Sequence, residues 1–140
     1  MKKRKKILAI ILARQGSKRL PNKNHKIFYG KPLIVHTFDV LKKTKIFKKI
    51  ILSTDSKMLL NLAKKNKIEA PFLRPARLSQ DNSRAIDAIK HCLDYLEKNG
   101  EKYDYVQYVL PTTPLKKSLD FINAYKFFKK KKADMVISVS

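Results

Sequence analysis

Ile7-Leu8-Ala9-Ile10-Ile11-Leu12-Ala13 is an unbroken apolar run, and Arg14-Gln15-Gly16-Ser17-Lys18-Arg19 follows it directly. A continuous run of this kind is what a central parallel strand, buried on both faces, requires. The lysines and arginine of Lys2–Lys6 in front of it give the start the look of a secretory signal. The apolar part is only seven residues long, however, and no small-residue cleavage site follows it. The run therefore reads as a strand.

Working outward, strands and helices alternate. Arg14–Tyr29 is a polar, cationic stretch of sixteen residues, too long for a simple connector. Lys31-Pro32 opens a helix with proline in its first turn, and Ile34, Thr37, Phe38 and Leu41 follow at helical spacing. Lys49–Ser53 is a second strand. Thr54-Asp55-Ser56 ends it and caps a helix with Leu59, Leu62 and Ala63 on its apolar face. Glu69–Phe72 is a short extended piece, and Arg74–Asn82 is an irregular loop. A long amphipathic helix carries Ile86, Ile89, Leu93 and Leu96, and Asn99-Gly100 ends it. Tyr105–Leu110 is another strand, broken by Pro111-Thr112-Thr113-Pro114. Ser118 caps a last helix with Ile122, Tyr125 and Phe128 facing inward, and Asp134–Val139 is a final strand. The alternation predicts one α/β domain: a Rossmann-like, largely parallel sheet flanked by helices, with right-handed crossovers. Ligands bind such sheets at the carboxyl ends of the strands. Arg14–Lys26, Thr54-Asp55 and Pro111–Pro114 all fall there.

The chain has 140 residues, 33 Lys+Arg against 11 Asp+Glu, and a formal net charge of +22. Such a balance invites a nucleic-acid reading. Only six of the cations are arginine, though, and the abundance of Lys, Ile and Asn is what an A/T-rich genome produces. Dedicated phosphate readers favour the bidentate arginine fork. No aromatic ladder of the kind that stacks single-stranded nucleic acid is visible. The charge runs are read as solvated surface, with neither a nucleic-acid nor a membrane partner. Cys92, the single cysteine, cannot form an internal disulfide, and no stretch approaches the ~20 apolar residues of a membrane span. A cytoplasmic location is expected. His36 and His91 fall on predicted helices as structural residues.

The stretch after the first strand carries the chemistry. Arg14, Lys18, Arg19 and Lys23 supply four cations in ten positions, Gly16 permits a tight turn, and Ser17 adds a hydroxyl beside free backbone N–H groups. This suits a polyphosphate, although neither G-x-x-x-x-G-K-[ST] nor G-x-G-x-x-G is present. Ala13, Arg14, Gly16, Ser17, Lys18, Leu20, Lys23 and Asn24 fit the pattern A-R-x-G-S-K-x-[LI]-x-x-K-N. The segment resembles the N-terminal signature of the acylneuraminate cytidylyltransferases, which make CMP-sialic acids. Further along, Gly30-Lys31-Pro32-Leu33-Ile34, Ser53-Thr54-Asp55, Phe72-Leu73-Arg74-Pro75-Ala76 and Pro111-Thr112-Thr113-Pro114-Leu115 resemble that family's segments in the same order.

The resemblance implies attack of a sugar's anomeric hydroxyl on the α-phosphate of CTP, with pyrophosphate leaving and Mg²⁺ assisting. Fixed cations must stabilise the charge on the leaving group. Arg14 and Lys18 are the candidates for the phosphates, as catalytic residues, with Lys23 close behind and Ser17 as a phosphate donor. In similar enzymes the residues matching Asn24 and Arg74 also contact the nucleotide. Asp55 is open between a helix cap and a site residue. Three features depart from the family pattern. Leu110 stands where a glutamine associated with the sugar is usual, which leaves the acceptor open among sialic acid and relatives such as legionaminic or pseudaminic acid. Arg77 replaces a glutamate. The chain ends at Ser140, so it is expected to be the nucleotide-binding part, 1–140, without the C-terminal portion that in the family carries the metal-holding acidic pair and a homodimer arm.

Overall fold

The computed structural model describes residues 4–15, 26–111 and 117–131. The apolar run forms β1 (Ile7–Leu12), every residue of it buried. It is the middle strand of a three-stranded parallel sheet, flanked by β4 (Lys49–Ser53) and β5 (Tyr105–Val109). Alternation along β1 divides the core. Ala9, Ile11 and Ala13 pack with α1 (Leu33–Thr44), α2 (Lys57–Lys65) and Phe121 of α4 (Ser118–Lys131). Leu8, Ile10 and Leu12 pack instead against Ala88, Ile89, Cys92 and Leu96 of α3 (Ala85–Lys98). The expected parallel sheet flanked by helices is thus the observed one. The extended piece beyond α2 runs parallel beside β4, bridged at Ile51–Glu69 and Thr54–Leu73.

Several local expectations change. Ile27–Phe28 (β2), expected inside the polar stretch, pairs antiparallel with Lys31–Pro32 (β3). The turn between them holds Tyr29 and Gly30 at φ of 49° and 83°, the double left-handed geometry of the commonest two-residue hairpin turn. Because that hairpin takes up Lys31 and Pro32, α1 begins only at Leu33, with Pro32 as its capping residue. On α3 the buried stripe is Ala88, Ile89, Cys92 and Leu96, and Ile86 is exposed. Two small residues let the helix lie close on the sheet and turn Ile86 outward. Ser118 does not cap α4: its hydroxyl donates to the Val40 carbonyl at 2.8 Å and ties α4 to α1, while the Asp120 carboxylate accepts the Lys117 N–H at 2.8 Å. On α4, Phe121 is the buried residue. Tyr125 and Phe128 are half-buried and meet the Tyr105 ring edge-on at 6.1 and 5.1 Å. The expected strand at Asp134–Val139 lies outside the described residues.

Candidate functional site

The carboxyl ends of β1 and β4 meet in a small polar cluster. The Ala13 N–H donates to the Ser53 carbonyl at 3.1 Å, extending the β1–β4 ladder one residue past the strands. The next turn is held by a side chain: the Gln15 N–H donates to Asp55 Oδ1 at 2.8 Å. Ser56, not Asp55, caps α2, its hydroxyl accepting the Leu59 N–H at 3.2 Å. That removes the cap role for Asp55. It anchors the backbone that follows β1.

Arg14 lies between these two anchors. Its Nη1 pairs with Asp81 Oδ1 at 2.7 Å, both side chains part-exposed. Asp81 stands on a firm turn. The Ser83 N–H donates to the Gln80 carbonyl at 3.0 Å, the Gln80 N–H donates back to Ser83 Oγ at 3.0 Å, and Ser83 Oγ donates to the Arg77 carbonyl at 3.1 Å. A one-turn 3₁₀ helix, Ala76–Leu78, precedes it.

Arg74 is 7% exposed. Its N–H donates to the Thr54 carbonyl at 2.7 Å, its Nη2 to the Ser53 carbonyl at 3.3 Å and its Nη1 to the Leu78 carbonyl at 3.4 Å. Burial lowers its pKa, with the Asp55 charge opposing that and the Arg14 charge adding to it. Asp55, Arg14 and Arg74 therefore form one electrostatic group. Arg74 Nε and Ser53 Oγ find no hydrogen-bond partner among the described residues. A buried guanidinium with an unmet donor is costly unless a ligand or water takes it up. Nearby, the His91 ring meets Phe72 edge-on at 4.7 Å. Burial lowers its pKa, and the charges of Arg77 and Arg74 add to the effect.

Of the residues expected from the sequence, Arg14 and Arg74 are brought together. Ser17, Lys18, Lys23 and Asn24 lie outside the described residues, as do Thr112–Leu115. Leu110 follows β5 at the same sheet edge and is half-exposed. Asp81 was not foreseen. Its signal was scarcity, a carboxylate in a chain with only 11 of them against 33 cations. Among the described residues, no three His, Cys, Asp or Glu side chains are grouped so as to hold a metal ion.

The profile of the family described as "Cytidylyltransferase" matches residues 8–137. The chain belongs to the cytidylyltransferase family. It is 37% identical over 123 residues to a pseudaminic acid cytidylyltransferase of Campylobacter jejuni, covering 88% of this chain and 53% of that one. It is 38% identical over 112 residues to the CMP-N,N'-diacetyllegionaminic acid synthase of Legionella pneumophila, covering 80% and 48%. Against an N-acylneuraminate cytidylyltransferase of Escherichia coli it is 35% identical over 140 residues, covering 98% and 32%. This cytidylyltransferase chain therefore spans about half the length, or less, of these relatives. A solved CMP:2-keto-3-deoxy-manno-octonic acid synthetase complexed with CTP superposes with a TM-score of 0.74 at 20% identity, over 91% of this chain and 49% of that one. A cytidylyltransferase from Leptospira borgpetersenii gives 0.69 at 22% identity, over 92% and 51%. These two likenesses establish the fold. Among the described residues of the cytidylyltransferase chain, no helix is long and apolar enough to cross a membrane.

Proposed function

We propose that the protein takes part in transferring CMP from CTP to a 2-keto sugar acid, a sialic acid or a relative such as legionaminic or pseudaminic acid, with release of pyrophosphate. The observation that carries this reading is the convergence of Arg14 and Arg74 at the carboxyl ends of β1 and β4, with Arg74 keeping an unmet donor. The ladder bond from Ala13 and the Asp55 anchor at Gln15 hold the Arg14 backbone on both sides. Such a guanidinium is presented to an anion at little further ordering cost.

In this scheme the anomeric hydroxyl of the sugar acid attacks the α-phosphorus of CTP. The new O–P bond forms as the bond to the pyrophosphate oxygen breaks, and the hydroxyl proton passes to solvent. Arg14 and Lys18 stabilise the charge gathering on the pyrophosphate. Ser17 and Lys23 hold the phosphates, and Asn24 and Arg74 hold the rest of the nucleotide. Mg²⁺, implied by the family, would neutralise phosphate charge, and the described residues assign it no ligands. A cytoplasmic protein with no nucleic-acid or membrane partner completes the proposal.

Assays of CTP-dependent pyrophosphate release with sialic, legionaminic and pseudaminic acids test it. Activity lost in Arg14→Ala and Lys18→Ala with folding intact is the expected result, and unchanged activity in both removes the assigned roles. Because the chain spans about half the length of its relatives, a second outcome has its own meaning. CTP binding without pyrophosphate release identifies the chain as a nucleotide-binding part that needs more polypeptide for turnover.

A further inference from the structure

Arg14 is braced at three points, and the third is unlike the other two. The bonds from Ala13 and Gln15 fix backbone, and Asp55 and Ser53 provide them from the end of β4. Asp81 fixes the side chain itself, and it does so from a segment 67 positions away in sequence. The turn at Gln80–Ser83 is closed by two reciprocal hydrogen bonds and tied to Arg77 by a third. The carboxylate is thus offered from a rigid support rather than from a loose loop.

We propose that Asp81 is a positioning residue for Arg14, presetting its guanidinium for the triphosphate of CTP. The inference rests on the CTP reading above. A free arginine side chain carries rotamer entropy that binding must otherwise remove. Asp81 occupies one Nη1 donor of a group that has five in a planar fork. Its pairing restrains the guanidinium at one end and leaves donors for phosphate oxygens.

A double-mutant cycle on CTP affinity tests this, with calorimetric titration of CTP into the wild-type chain, Asp81→Asn, Arg14→Ala and the double variant. Asp81→Asn is expected to weaken CTP roughly three- to fivefold, the range of a part-exposed ion pair. In the Arg14→Ala background the same change has a clearly smaller effect, because the side chain it positions is gone. Asp81→Glu recovers part of the loss. Melting temperatures of all four chains separate this from a general loosening of the fold. Equal losses in both backgrounds, or CTP bound as tightly or more tightly by Asp81→Asn, overturn the proposal while leaving the CTP reading intact. A wild-type chain that does not bind CTP, or an Arg14→Ala chain that binds it unchanged, overturns the CTP reading, and the positioning role falls with it.

Discussion

Both ends of the sheet carry a charge cluster, and the two are built to opposite rules. At the amino end of β4, Lys49 Nζ contacts Glu101 at 2.5 Å and Glu69 at 2.9 Å, and Tyr103 Oη donates to Glu101 at 3.1 Å. Burial works against the Lys49 charge, but the two carboxylates outweigh it and raise its pKa. The Lys49 contact in turn lowers the pKa of Glu101, and burial together with the bond to Glu101 pushes Tyr103 up to about 12. At the carboxyl end, Arg74 is more deeply buried, yet it has long bonds to two carbonyls and an Nε with no partner among the described residues. A saturated cluster holds the fold, whereas an under-satisfied one has capacity for a ligand. The two clusters differ in closed and open valences more clearly than in charge.

Substitutions at each end test that contrast. The largest effect is expected from Arg14→Ala. It should weaken CTP roughly 10- to 100-fold, as loss of a charge-assisted contact does, with the melting temperature unmoved, since its partner is a part-exposed surface ion pair. Lys49→Met should do the reverse. Urea titration should show a loss of about 1 kcal/mol, above the usual exposed pair because Lys49 is mostly buried, with CTP affinity unchanged. A comparable separation should appear within one turn of chain at the carboxyl end. Ser56→Ala removes the α2 cap and should cost about 1 kcal/mol of stability. Asp55→Ala frees the Gln15 N–H and removes the negative charge that supports Arg74, so it should weaken CTP and leave α2 as stable as before.

The smallest effect concerns pH. Glu101 titrates below its ordinary value of 4.5 in the folded chain, so its contribution is present above that value and is lost as pH falls below it. Stability measured from pH 6 downward should decline through this window. The decline should be shallower in Lys49→Met, because the partner that lowers the Glu101 pKa is gone. An equal slope in both chains would detach Glu101 from Lys49.

Much of the fold was legible because local patterns and global packing agree. The seven-residue apolar run could only be a strand buried on both faces, and β1 is buried along its whole length. The hairpin at Ile27–Pro32 was not legible, since two-residue strands are too short to show alternation. The buried face of α3 was misjudged at Ile86 because periodicity weighs hydrophobicity, whereas packing against the sheet selected the small Ala88 and Cys92. In the candidate site, the cationic stretch after the first strand pointed to Arg14, and the family resemblance pointed to Arg74. Nothing local distinguished the cap from the anchor at Asp55-Ser56, where both residues are competent for either role.

From the chain alone came the parallel α/β plan, the placement of polar segments at the strand ends and the cationic turn after β1. These follow from hydrophobic run length, turn chemistry and charge, all of which are local. Tertiary structure alone decided which carboxylate meets which cation. Asp81 reaches Arg14, and Arg74 reaches Ser53, only after β1, β4 and the 76–84 segment have been brought side by side. Pairings across tens of residues depend on strand order and helix docking, and no sequence period encodes them.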